Sequence, residues 1–189
     1  MKKRIFFIPG LGETARLKHS QEFINLVKRE YEVVSIILPY DKQFIFGRNS
    51  LFSDLVYKIK KEVLSHKPKS SDIIVGFSLG ALFAYVLATE IKFKKALICS
   101  ISAVLGEDTK LFTKTEMKFF TKEQLKELPK LKYKKPITEI IYFSASKEMN
   151  EMTQRPKKLH ELYGGLNVSI GKWGHKFSGP YIKAVKNFL

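Results

Sequence analysis

The stretch Asp72-Ile73-Ile74-Val75-Gly76-Phe77-Ser78-Leu79-Gly80 constrains this chain more than any other feature. Residues 72–77 are largely apolar and β-branched at Ile73, Ile74 and Val75. A mostly apolar segment of helical length, residues 79–90, follows at once. A strand apolar on both faces has to be covered on both, and a strand that runs straight into a helix starts a β-α unit. The serine at the junction then sits in a sharp bend. A side chain two positions to either side would strike the bend, and glycine stands at both places, Gly76 and Gly80. The G-x-S-x-G pattern is weak alone and specific between a strand and a helix. Such a bend lifts the Ser78 hydroxyl above the sheet edge. It also sets the N–H of Leu79 at a helix start, where developing negative charge is stabilised. Ala81 and Ala84 keep one helix face small enough to pack closely on a sheet.

The remaining chain repeats the alternation. Strands are predicted at 4–8, 31–38, 72–77, 95–101, 137–143 and 166–170, with Pro39 ending the second. Helices are predicted at 20–29, 51–64, 79–90, 155–163 and 181–189, with Ser50 as N-cap of the second. This is an α/β pattern with a mainly parallel sheet. A length of 189 residues suits a single domain, 1–189. The large interruption is 102–135. There Thr113-Lys114-Thr115-Glu116 and Thr121-Lys122-Glu123-Gln124 both fit the capping box, which predicts a small helical cap insertion.

With these motifs the chain resembles the α/β-hydrolase family over nearly its whole length. The resemblance implies an α/β-hydrolase fold and a catalytic triad in the order serine, acid, histidine. Ser78 is then the nucleophile. Of the four histidines, His19 and His66 precede it and His160 falls within a predicted helix. His175, in Gly171-Lys172-Trp173-Gly174-His175 after the last strand, stands where the family places its base. The acid is expected after strand 137–143. Ala145-Ser146-Lys147-Glu148 has the spacing of the family's Gly-x-x-Asp, with Ala for Gly and Glu for Asp. Glu148 is the first choice and Glu151 the second; Glu107 or Asp108, after strand 95–101, is an alternative location. The loop Pro9-Gly10-Leu11-Gly12 matches the family's second oxyanion loop, so the backbone N–H of Leu11 would join that of Leu79.

The expected activity is hydrolysis of a small-molecule ester or thioester through an acyl-enzyme. A catalytically silent fold used for binding or as a scaffold is the alternative. No cofactor or metal is expected, because the histidines are scattered and Cys99 is the sole cysteine, in an apolar run that reads as core. Gly10-Leu11-Gly12-Glu13-Thr14-Ala15 does fit a loose dinucleotide fingerprint, but the Ser78 bend explains the same loop better. The net charge of +16, from 34 Lys+Arg against 18 Asp+Glu, allows weak association with anionic surfaces, with no specific nucleic-acid motif beside it. Spread lysines on solvated helix faces explain the same charge. Phe, Leu and Lys in 111–131 fit a cap that covers a medium acyl chain; covering the sheet would require them equally. The start Met1-Lys2-Lys3-Arg4 is followed by too short an apolar run for a signal segment, so a cytoplasmic protein is expected.

Overall fold

A computed structural model describes residues 2–12, 20–38, 45–46, 48–148 and 150–189, without the side chains of 150 and 151. Its strands are Lys3–Ile8 (β1), Tyr31–Ser35 (β2), Ile73–Phe77 (β3), Lys95–Cys99 (β4), Glu139–Ser144 (β5) and Leu166–Ser169 (β6). They form one all-parallel sheet in the order β2-β1-β3-β4-β5-β6. The helices are Gln21–Val27 (α1), Phe52–Ser65 (α2), Leu79–Ala88 (α3), Lys114–Met117 (α4), Lys122–Glu127 (α5), Asn150–Tyr163 (α6) and Pro180–Lys186 (α7).

Successive strand residues face opposite sides, and two apolar layers follow. Phe6, Ile8, Ile74, Ala96, Ile98, Ile140 and Tyr142 face one layer, with α2, α3 and Leu159 of α6. Ile5, Phe7, Ile73, Val75, Leu97, Cys99, Ile141 and Phe143 face the other, with Phe23 of α1 and Tyr181 of α7. Gly76 falls on the first face, where α3 comes so close that a methyl group would lie 2.6 Å from the Ala81 Cα. Cys99 is fully buried in the second layer, and burial pushes its thiol pKa well up.

The boundaries differ from the sequence reading where tertiary contacts intervene. β2 stops at Ser35, opposite Phe7, because β1 ends just beyond and Pro9 has no N–H to offer. Pro39 itself lies outside the described residues. The N-cap of α2 is Leu51, not Ser50. Leucine has no oxygen to accept a hydrogen bond, and carboxylates supply the cap. Asp54 accepts the Leu51 N–H at 2.9 Å, and Glu127 of α5 accepts the N–H groups of Phe52 and Ser53 at 2.7 and 3.1 Å. Gln124 donates to the Ser50 carbonyl at 2.7 Å, so α5 is docked on the start of α2. α6 begins at Asn150, five residues earlier than expected, and carries Pro156 inside it, which removes one backbone donor from the helix.

Within 102–135 both capping boxes form: Thr113 accepts from the Glu116 N–H and Thr121 from the Gln124 N–H. Short 3₁₀ turns at Gly106–Leu111 and Leu128–Lys130 complete the segment. Leu105, Phe120 and Leu128 bury themselves in the α2–α3 layer. Among the described residues no helix is long and apolar enough to cross a membrane.

Candidate active site

The strand order reverses between β1 and β3: the chain runs from β1 out to β2, then crosses through α2 to β3. In an open parallel sheet such a reversal leaves a crevice at the carboxyl ends of the two strands. The loop after β1 and the bend after β3 both lie there. A methyl on Gly10 would stand 3.3 Å from the Ser78 Cβ. Leu11, the next residue, is exposed, and Leu79 is the first residue of α3, whose N–H has no partner within the helix.

Ser78 takes φ 56° and ψ −122°, in the region that side chains rarely adopt. Such strain costs about 1–3 kcal/mol and persists only where surroundings enforce it. The enforcing contacts are on both sides. The Ser78 N–H donates to the Cys99 carbonyl at 2.9 Å, and Gly80 lies so close to the end of β1 that a Cβ would overlap the carbonyl oxygens of Ile8 and Pro9.

The Ser78 hydroxyl lies 2.9 Å from Nε2 of His175. The loop carrying His175 is pinned from several directions. Ser146 and Lys147 donate backbone hydrogen bonds to the carbonyls of Gly171 and Trp173 at 2.9 and 3.1 Å, tying this loop to the one after β5. The imidazole stacks on Phe77 with ring centroids 4.9 Å apart, and Phe177, two residues on, packs against Phe7, Phe23 and Phe77. The Glu148 side chain is fully buried, with Oε1 3.4 Å from Nδ1 of His175. Its Oε2 accepts the Ala145 N–H at 3.0 Å and its Oε1 accepts the Tyr181 hydroxyl at 2.8 Å. Burial by itself pushes the Glu148 carboxyl up; interactions with His175, the Ala145 N–H, Ser100 and Tyr181 outweigh it and hold the carboxyl below the usual glutamate range. Burial, and then the neighbouring carboxylate, push the Tyr181 hydroxyl far up, which keeps it a donor.

One member of this group was not singled out from the sequence. Ser100 is fully buried, has φ 53°, and puts Oγ 2.7 Å from Nδ1 of His175. It follows β4 as Ser78 follows β3. No motif marks it; the available signal was only that the residue after each strand faces the crevice.

The other candidates lie elsewhere. Glu107 is exposed and paired with Lys158, with Arg155 at 4.0 Å. Asp108 is buried against Arg155 and accepts the Tyr133 hydroxyl at 3.0 Å. His160 meets the Gly165 carbonyl at 2.9 Å across the turn into β6, and His66 lies against Phe6 with ring centroids 6.3 Å apart. The side chain of Glu151, and residues His19, Glu13, Thr14 and Ala15, lie outside the described residues.

A cavity of about 290 Å³ opens beside this group, lined by Val104, Leu111, Phe112, Phe119, Phe120 and Met152 among others. Ser102 in its wall donates its N–H to the Ser78 carbonyl at 3.3 Å.

No family model and no curated protein sequence matches this chain. Solved structures do. Est1E from Butyrivibrio proteoclasticus superposes with TM-score 0.77 at 13% identity, covering 99% of this chain and 86% of that one. RedJ thioesterase from the prodiginine biosynthetic pathway of Streptomyces coelicolor gives 0.68 at 14% identity, over 98% and 84%. The enol-lactonase from Burkholderia xenovorans gives 0.66 at 13% identity, over 100% and 91%. The chain has the α/β-hydrolase fold. At such identities the likeness is one of backbone path alone. The loop after β1, the bend after β3 and the loop after β6, all at the carboxyl ends of parallel strands, carry Leu11, Ser78 and His175.

Proposed function

We propose that this protein is a serine hydrolase of esters or thioesters, acting through an acyl-enzyme on Ser78. The reading rests on one observation: a strained serine hydroxyl 2.9 Å from an imidazole whose far nitrogen faces a buried carboxylate. A free serine hydroxyl is a poor nucleophile at neutral pH and needs a base within hydrogen-bond reach. His175 Nε2 takes the Ser78 proton as Oγ attacks the acyl carbonyl. Glu148 stabilises the imidazolium electrostatically. The N–H groups of Leu11 and Leu79 receive the oxyanion, each worth about 3 kcal/mol of barrier. The imidazolium protonates the leaving alcohol or thiol, and water activated by His175 releases the acid. A thioesterase and an enol-lactonase among proteins of similar fold favour an acyl–sulfur or acyl–oxygen bond as the target.

The 102–135 segment acts in this reading as a cap, and the apolar cavity under it takes the acyl chain. Ala103 lines that cavity. Ala103→Phe is expected to exclude about two methylenes, which at ~0.8 kcal/mol each lowers the octanoyl-to-acetyl ratio of kcat/KM for p-nitrophenyl esters about tenfold. An unchanged ratio would place the acyl chain elsewhere.

A fluorophosphonate probe tests the function itself. Labelling of the native protein, mapped by mass spectrometry to the peptide containing Ser78, is the expected result. Well-folded protein that neither labels nor turns over short p-nitrophenyl esters would leave a fold used for binding alone.

A further inference from the structure

In a Ser-His-acid arrangement the carboxylate ordinarily accepts the Nδ1–H hydrogen bond directly. Here a different group is nearer. His175 Nδ1 lies 2.7 Å from Ser100 Oγ and 3.4 Å from Glu148 Oε1. The first distance is a hydrogen bond; the second is beyond a good one. Both Glu148 oxygens already accept short bonds, Oε2 from the Ala145 N–H and Oε1 from Tyr181. For His175 Nε2 to accept the Ser78 proton, Nδ1 must carry the ring hydrogen. That hydrogen points at an oxygen which has lone pairs to spare. The Ser100 hydroxyl then has its own proton to donate, and it donates to the Met152 sulfur at 3.7 Å, a weak acceptor.

The backbone supports a specific placement rather than a filler. Ser100 has φ 53° with a side chain present and no exposure. Its N–H donates to the Phe143 carbonyl at 2.8 Å, as the Ser78 N–H donates to Cys99. β4 lies between the strands that precede Ser78 and Glu148, so its first post-strand residue falls between nucleophile and acid.

We infer that Ser100 is a positioning residue for His175: its hydroxyl accepts the hydrogen bond of the imidazole Nδ1–H, at a shorter distance than the Glu148 carboxylate offers. The inference rests on the hydrolase reading for its catalytic consequence and on geometry alone for the contact. No proton leaves Ser100 in the cycle. The hydroxyl holds the ring in the tautomer that leaves Nε2 free to accept.

Two variants and two readouts test it. Ser100→Ala removes the hydroxyl. Ser100→Gly removes it too and also relieves the left-handed backbone, so it serves if the alanine variant folds poorly. In ¹⁵N NMR, native His175 is expected as the Nδ1–H tautomer, and both variants are expected to show a clear Nε2–H population. With ester substrates kcat is expected to fall about ten- to a hundredfold, the range for a lost hydrogen bond to a charge, with KM within about twofold. An unchanged tautomer in the folded variants overturns the positioning role, whatever happens to turnover. Native protein that neither labels nor hydrolyses overturns the hydrolase reading instead, and the tautomer measurement still decides the contact.

Discussion

Turnover of a p-nitrophenyl ester is expected to fall by about 10⁴-fold or more in Ser78→Ala, by a similar factor in His175→Gln, and by no further factor in the double variant. The reason is that in the proposed mechanism the two groups act as one device. There the hydroxyl attacks only as its proton moves to Nε2, 2.9 Å away, and the imidazole has no task in acylation once that hydroxyl is gone. Glutamine cannot take the proton, so the serine left behind is an ordinary alcohol. What survives in each variant is the contribution of the oxyanion donors and of substrate binding, the same in all three. Independent roles would instead multiply the losses in the double variant. Steady-state kinetics at substrate well below KM separates the two cases. A double variant markedly slower than both single ones, or a Ser78→Ala protein near native rate, would dismantle the paired mechanism.

Gly80→Ala is expected to destabilise the protein by about 3 kcal/mol, with a fall of roughly 6–12 °C in Tm. The sign is what makes the result informative. Exchanging glycine for alanine in a helix ordinarily stabilises by up to about 1 kcal/mol. At position 80 the added methyl would overlap the carbonyl oxygens of Ile8 and Pro9, and lie 2.7 Å from the Ile8 carbonyl carbon. Those atoms are backbone, at the end of a strand hydrogen-bonded on both sides to β2 and β3, and they cannot swing away as a side chain would. α3 would have to back off from the sheet. That movement displaces Leu79 relative to Leu11, so ester turnover falls with stability. Thermal unfolding followed by circular dichroism reads the effect; an unchanged or raised Tm would mean that α3 and β1 are not in close contact.

The alternation of facing in β1 was legible before any coordinates. Ile5 and Phe7 belong to one layer and Phe6 and Ile8 to the other, which the continuous apolar run already implied. Six strands, their parallel sense and the helix between each pair followed from the same kind of pattern. The cap of α2 was not legible. Ser50 has the right chemistry next to the helix, but the N–H groups of Phe52 and Ser53 are satisfied by Glu127, 75 residues away from Phe52. A local rule sees only local donors and acceptors. Ser100 was missed for a related reason: nothing in Cys99-Ser100-Ile101 differs from an ordinary strand end until His175 is brought to it from 75 positions later.

The chain's own residues determined the strand–bend–helix at Ser78, because glycine at 76 and 80 and an apolar run on either side admit few other structures, and they determined the order in which serine and histidine arrive. Tertiary structure decided which carboxylate faces the imidazole. Glu107, Asp108 and Glu148 are alike as loop acids in sequence, yet Arg155 and Lys158 engage the first two while burial beside Tyr181 and the Ala145 N–H aims the third at His175. A carboxylate's role is set by the charges and donors that surround it in space, and sequence spacing does not specify those across a hundred residues of folded chain.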